Sequence, residues 1–369
     1  MKQTLAILSL ALFFSCIEGS QGIFFTLEKE ELVNDVTNLS NTLTVVDQTI
    51  FGGEIYLASV QSKRKTVGSD TWSNWNASSI ASGMTRIVDV ASSDNETIIY
   101  AIVSNGSTNQ LYSSADGNTW AQVTTLPAGA IPYSIVEVYN QNAVVTDFVL
   151  NYTTSANDGY HAAYDSTPTD FQAFTTPILA STPIIQAATD GTDYGLVNSS
   201  TFYFADGSAL QNAVAVDKSN LANFTTAPNN FGGIIYDDNL GSGLWVISTD
   251  SGYLFSSPNP GTTAFDRINT DRIQDGSDNE VHFGEITYWL DGGTHVFLVA
   301  SNNGYYEVFD DGGVTVRSPE RSTSNDSYIS KIIAVSTVRN IEVDAADRVY
   351  FGTLSNGLWV AENDSLDIQ

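Results

Sequence analysis

The chain has one cysteine, Cys16, in 369 residues, so no disulfide can form within it and stability has to come from packing. Basic residues are scarce: 14 Lys plus Arg stand against 42 Asp plus Glu, a formal net charge of −28. A field of that sign repels nucleic acid and anionic lipid surfaces, which argues against both as partners. The acids are spread along the chain and not gathered in a tail, as on a solvated surface. Histidine is rare too, and His161, His282 and His295 fall into no HxH or HExxH spacing, so no zinc site is expected. Beyond the N-terminus no apolar run reaches the length of a membrane-spanning helix. P-loop, GxSxG and dinucleotide fingerprints are missing. A sustained i, i+3, i+4 apolar pattern is missing as well. Only "EKEELVNDV" (28–36) has helical propensity, and the "IFFTLE" before it reads as a strand.

What is present is a palette for short strands and tight turns. Hydrophobic residues make up 42% and aromatics 11%, enough for a packed core, while only 15% are charged; Thr, Ser, Asn, Asp and Gly fill much of the remainder. The chain also repeats itself. "LWVISTDSGYLFSS" (244–257), "VFLVASNNGYYEVF" (296–309) and "VYFGTLSNGLWVAE" (349–362) each run an apolar strand through a Gly-containing turn into a second aromatic-rich strand, with Gly252, Gly304 and Gly357 spaced 52 and 53 residues apart. Related hairpins surround Gly106 and Gly159, and poorer copies lie near Ser62 and Ser200. Seven hairpins at a mean spacing of about 49 residues match the length of a four-stranded propeller blade. The Asn and Gly of "SNG" and "NNG" accept the positive φ that such turns demand. The expected fold is therefore all-β: one seven-bladed β-propeller over 22–369, with six or eight blades as the alternatives. The last hairpin ends at "GLWVAEN" without an outer strand, so residues 22–32 are expected to pair there and close the ring.

At the N-terminus, Lys2 precedes an apolar run from Leu5 to Phe14 that is too short to span a bilayer and fits an export signal. Cys16 follows in "FFSC", which resembles a bacterial lipobox with Phe13 in the place of the usual Leu. The resemblance implies a signal peptide over 1–15, a lipidated Cys16 and a short tether over 16–21, with the protein anchored to the cell envelope through acyl chains. The alternative is an ordinary secretory signal cleaved near Gly19 to Gln21, giving a secreted protein. Nine Asn-x-Ser/Thr triplets are read as chance in a chain this rich in those residues.

"SADGNTW" (114–120), between "QLYSS" and "AQV", resembles an Asp-box, or BNR repeat, the hairpin between the third and fourth strands of a propeller blade. In that family the box is structural. The resemblance implies that Ser114, Asp116, Gly117, Thr119 and Trp120 hold one turn, with Asp116 accepting backbone N–H groups and Trp120 packing its ring on the next strand. Asp-box propellers include sialidases, but none of the eight Arg stands in the Arg-Ile-Pro context of a sialidase carboxylate clamp.

No catalytic residue is assigned. The expected role is that of a non-enzymatic platform, a monomer binding an envelope protein or a glycan through loops on one face. Trp72 and Trp75 of "TWSNWN" are the candidate contact residues, or else a degenerate box packed between blades. The competing expectation is a glycoside hydrolase or lyase, which would show a carboxylate pair with a raised titration point deep in the propeller funnel. No cofactor is expected. Weak Ca²⁺ binding is reserved for the acidic turns 189–195, 236–243 and 274–280, none of which has EF-hand spacing.

Overall fold

The computed structural model describes residues 43–368 except 70, 94, 141–146, 156–158, 208, 217–229, 239–242, 269–280, 292–293, 303, 310–336, 345, 355–356 and 363–364. Among the described residues nearly all regular structure is β. The exceptions are a four-residue helix, Ala77–Ile80, and a 3₁₀ turn, Leu210–Asn212.

Strands pair with their sequence neighbours in antiparallel order and build seven small units among the described residues: 45–74, 86–122, 131–173, 184–216, 231–267, 283–309 and 338–368. Each unit has four consecutive strands except the third, which adds the two-residue strand Leu179–Ala180 on Tyr160 and His161, and the sixth, where three are described. The third and fourth units also touch through a short parallel pairing of Val138 and Tyr139 with Ala187 and Ala188. The first strand of each unit packs beside the first strand of the next, and that of the seventh, Val338–Val343, returns to that of the first, Val45–Phe51. The units therefore stand in a closed ring with their first strands around the centre.

The second strands explain why the sequence needs this arrangement. Ile99–Ser104 is buried at all six positions, because both faces of its sheet are covered. Alternate side chains go to opposite neighbours: Ile99, Ala101 and Val103 pack with Phe51, Tyr56 and Ala58 of the first unit, whereas Tyr100 and Ile102 pack with Phe148, Leu150 and Phe171 of the third. The same division produces one apolar cluster at every junction around the ring. At the closing junction Val45, Ile55, Leu57 and Trp72 meet Tyr350, Leu358 and Val360.

The closure differs from the sequence expectation. The seventh unit is completed by its own strand, Ser365–Ile368, on Leu358–Glu362, and all four strands of the first unit come from 45–74. The outer position reserved for residues 22–32 is thus filled by the last residues of the chain. The correction has a simple cause: "SLDI" is a short alternating segment whose strand signal is weak beside the aromatic hairpins. Residues 22–32 themselves lie outside the described residues.

Candidate functional site: the central channel

The first strands enclose a channel of about 930 Å³. In each, the pairing with the second strand skips a residue near its start. The skipped residues are Val46, Val88, Tyr133, Ile185, Gly232 and Arg339, and in the sixth unit Gly284 with Glu285. Such β-bulges twist a strand and re-aim its side chains. All these skipped residues line the channel.

The position after the bulge is short or polar in six units, Asp47, Asp89, Ser134, Gln186, Gly233 and Asn340, and in the sixth unit along the chain the second skipped residue, Glu285, takes that place. An innermost strand has one edge without a strand partner, so its N–H groups need acceptors from elsewhere. Most of these side chains supply one to the following unit. Asp47 accepts the Val90 N–H, Asp89 Oδ2 accepts that of Ile135 at 2.7 Å, and Glu285 Oε2 accepts that of Ile341 at 3.3 Å. Gln186 serves two units: its Oε1 takes the Ile234 and Ile286 N–H groups at 3.1 and 3.2 Å, while its Nε2 donates to the Ile286 carbonyl at 2.6 Å. That reach explains Gly233, where a Cβ would come within 2.2 Å of Gln186 Oε1. Across the closing junction Asn340 Nδ2 donates to Asp47 Oδ1 at 2.7 Å, and Gln48 Nε2 donates to the Tyr350 carbonyl at 2.8 Å.

Three carboxyl groups thus share the channel wall, and their surroundings favour protons. Burial pushes Asp47 up to about 6, opposed by its hydrogen bonds from Asp89, Gln48 and Val90. Asp89 is raised well above the ordinary range by burial and by the neighbouring Asp47 charge. Glu285 goes up to about 8, again chiefly by burial and then by Asp47. The Asp47 and Asp89 side chains are hydrogen-bonded to each other, so near neutral pH they hold a proton between them. The sequence reading missed all three; their trace is an apolar-x-polar step near the start of a unit, as in "VVD", "IVD", "IIQ", "FGE" and "VRN".

The two ends of the channel differ. Where the first strands begin, Val46, Val60, Tyr133 and Ile185 are exposed, Val60 by 86%, and Arg86 and Arg339 stand among them. Glu137, Tyr139, Tyr288 and Glu342 lie toward the other end. Tyr133 and Tyr139 bracket roughly 20 Å of strand at ~3.3 Å per residue.

The residues singled out from the sequence lie elsewhere. In the turn 114–120, Asp116 Oδ1 accepts the Asn118 N–H at 2.8 Å, the Thr119 N–H at 2.6 Å and the Ser114 hydroxyl at 2.9 Å. Its Oδ2 accepts the Thr119 hydroxyl at 2.9 Å. The backbone donors of Thr119 and Asn118, joined by those hydroxyls, hold the carboxyl well below the usual carboxylate range. Gly117 adopts φ +68°, and Trp120 packs at 6.0 Å from Trp75. Trp72 and Trp75 are only 4% and 3% exposed, which corrects their assignment as surface contact residues: Trp75 sits edge-on to Tyr56 at 4.9 Å between the first and second units, and Trp72 lies under Lys65 in the closing junction. Two large rings beside a turn stabilise more by filling a junction than by facing water. Cys16 lies outside the described residues, as does the turn 274–280. In 189–195 the Asp190 carboxylate takes the Thr192 and Asp193 N–H groups. Among the described residues no cluster of three or more His, Cys, Asp or Glu has metal-binding geometry, and no helix is long and apolar enough to cross a membrane.

No protein-family model matches the chain, and no curated protein matches it in sequence. Solved structures do resemble it. YCF48 from Cyanidioschyzon merolae is 13% identical with a TM-score of 0.56, over 89% of this chain and 98% of that one. PorZ, a bacterial surface component of the type-IX secretion system of Porphyromonas gingivalis, is 11% identical with a TM-score of 0.55, over 90% of this chain and 39% of that one. The extracellular domain of BT4673 from B. thetaiotaomicron is 15% identical with a TM-score of 0.54, over 90% of this chain and 40% of that one. These are β-propeller proteins, and the likeness at such identities is one of fold: the chain is an all-β protein with a propeller-like architecture.

Proposed function

We propose that the chain is a seven-bladed propeller held on the bacterial cell envelope by a lipidated Cys16, and that it works as a non-enzymatic platform whose channel mouth binds a protein partner. The observation that carries this reading is the mouth itself, where Val46, Val60, Tyr133 and Ile185 are exposed together beside Arg86 and Arg339. Exposed apolar side chains gathered at one opening mark a contact site rather than ordinary surface. The company of structural neighbours supports it: one YCF48 structure has a D1 peptide bound, and PorZ is a surface component of a secretion system. In this reading the turn 114–120 is an Asp-box that braces one blade.

The channel carboxylates were the feature expected of a glycoside hydrolase or lyase, and they are present. Their bonds favour a structural role instead. Asp89 and Glu285 each accept a backbone N–H of the next unit, and Asp47 is tied to Val90, Gln48 and Asn340. A general acid or nucleophile has to be released toward substrate, whereas these groups close the ring.

The test places a photo-crosslinking residue at position 60 or 185, at the mouth, or at 214, which is exposed on the outer strand Val214–Val216, in cells that naturally make the protein. The same discrete protein adduct is expected from 60 and 185 and not from 214. No adduct, or one formed equally from 214, overturns the reading. Intact mass of the membrane-extracted protein tests the anchor, through acyl chains on Cys16 that are lost, with membrane retention, in C16A.

A further inference from the structure

We propose that the channel mouth binds the carboxyl terminus of an extended polypeptide, its carboxylate held between Arg86 and Arg339 and its last aliphatic side chains seated on Val46, Val60 and Ile185. The inference rests on the platform reading and names the chemistry of the partner.

The first support is a pairing anomaly. The described basic residues are Lys63, Arg64, Lys65, Arg86, Arg267, Arg339 and Arg348. Lys63 bonds to Asn74, Arg64 to Glu54 and Asn118, and Arg348 to Asp344; Lys65 lies over Trp72 and Arg267 over Tyr253. Arg86 and Arg339 make no side-chain hydrogen bond, ion pair or ring contact with any described residue. In a chain with three times as many acids as bases, two unpaired guanidinium groups are out of place on electrostatic grounds, and both line the same opening. They belong to the second and seventh units, on either side of the first.

The second support is what surrounds them. Carboxylates fit the planar fork of arginine by paired hydrogen bonds. Deeper in, the wall carries Asp47, Asp89 and Glu285, which offer an anion no cation, so the two arginines make the mouth the place where a carboxylate is held. The collar is aliphatic apart from Tyr133, whose ring is engaged at 4.7 Å with Tyr160. Aliphatic side chains suit aliphatic ligand groups, while sugar rings call for open aromatic faces.

The third support is room for the preceding residues. A second cavity of about 380 Å³ adjoins the mouth and shares Val60, Arg86 and Ile87 with it. Its wall carries Asn74, Asn76, Ser78 and Thr85, polar groups that complement a peptide backbone.

The experiment uses the purified protein and two fluorescent pools of octapeptides, randomised except for valine or leucine at the last two positions, one pool with a free C-terminal carboxylate and one amidated. Anisotropy is expected to show the free-acid pool binding at least tenfold more tightly. R86Q and R339Q should each weaken it tenfold or more with melting temperatures unchanged, and R267Q should leave it as it is. Equal binding of the two pools, no binding of either at 1 mM, insensitivity to R86Q and R339Q, or displacement by inorganic phosphate or hexanoate as effective as by the peptides would each overturn the proposal. If crosslinking from position 60 still captures a partner, only the carboxyl-terminus assignment falls; if that also fails, so does the platform.

Discussion

Replacing Glu285 by Gln should make the protein more heat-stable at alkaline pH and leave it nearly unchanged in acid. Glu285 titrates at about 8 in the folded protein against 4.5 in an ordinary setting, because burial and the Asp47 charge disfavour its ionised form. A carboxyl group raised in this way binds its proton more tightly when folded. Its contribution is fully present below about pH 4.5 and is lost as pH rises toward 8. The difference between 8 and 4.5 is 3.5, and at ~1.36 kcal/mol per unit the upper bound is about 4.8 kcal/mol. Glu285 is half-buried and faces the channel, so water screens part of this and roughly 2–3 kcal/mol is expected. Gln keeps an oxygen for the Ile341 N–H and cannot ionise. With an unfolding entropy of ~2.1 cal/mol/K per residue over roughly 330 residues, the gain corresponds to about 3–4 °C in Tm. Calorimetry of wild type and E285Q at intervals from pH 5 to pH 9 measures it. Tm differences that do not grow with pH would refute the placement of Glu285 as a protonated staple. A mutant less stable at pH 9 would show instead that its charge is compensated.

Other perturbations probe the same frame. Q186L removes the acceptor of two backbone N–H groups and the donor to one carbonyl across three units, and should cost about 3–4 kcal/mol in urea unfolding. G117A adds a Cβ 2.1 Å from the Tyr56 hydroxyl at φ +68°, and should cost about 2–3 kcal/mol; G106A, at φ +90° with open space around it, should cost only about 1 kcal/mol by the same assay. Y100F takes the hydroxyl from Asp165 Oδ2, at 2.8 Å, and from the Thr169 N–H, at 2.9 Å, and should cost about 1–2 kcal/mol in denaturant unfolding.

The repeats and the turn glycines were legible because they answer to local physics: a hairpin needs Asn or Gly in its turn whatever surrounds it, and Gly252, Gly304 and Gly357 all have positive φ. The final strand Ser365–Ile368 was not legible, since four residues carry too little periodicity to be told from a loop. For Trp72 and Trp75 the sequence left contact surface and packing between blades both open, and the structure shows the packing. A tryptophan in a polar, Ser- and Asn-rich segment looks like a surface anchor until the neighbouring unit that covers it is known, and for Trp72 that neighbour, with Tyr350, Leu358 and Val360, comes from the far end of the sequence.

The channel was the least legible part, and the reason is instructive. The residues at or just after the bulges are Asp, Asp, Ser, Gln, Gly, Glu and Asn in turn, and Asp47, Asp89, Gln186 and Glu285 among them give a later inner strand an acceptor. The side chain that makes the bond varies between junctions: Asp89 reaches Ile135 directly, while the longer Gln186 covers Ile234 and Ile286 together and thereby requires Gly233 in between. A comparison of repeats by residue identity finds nothing constant there, because what recurs is a bond and not a side chain. The same freedom lets the bulge residues diverge into valine, tyrosine, isoleucine and arginine. One position bonds one inner strand to the next while the adjoining one lines the channel, so the lining of the channel and the stability of the fold can change almost independently.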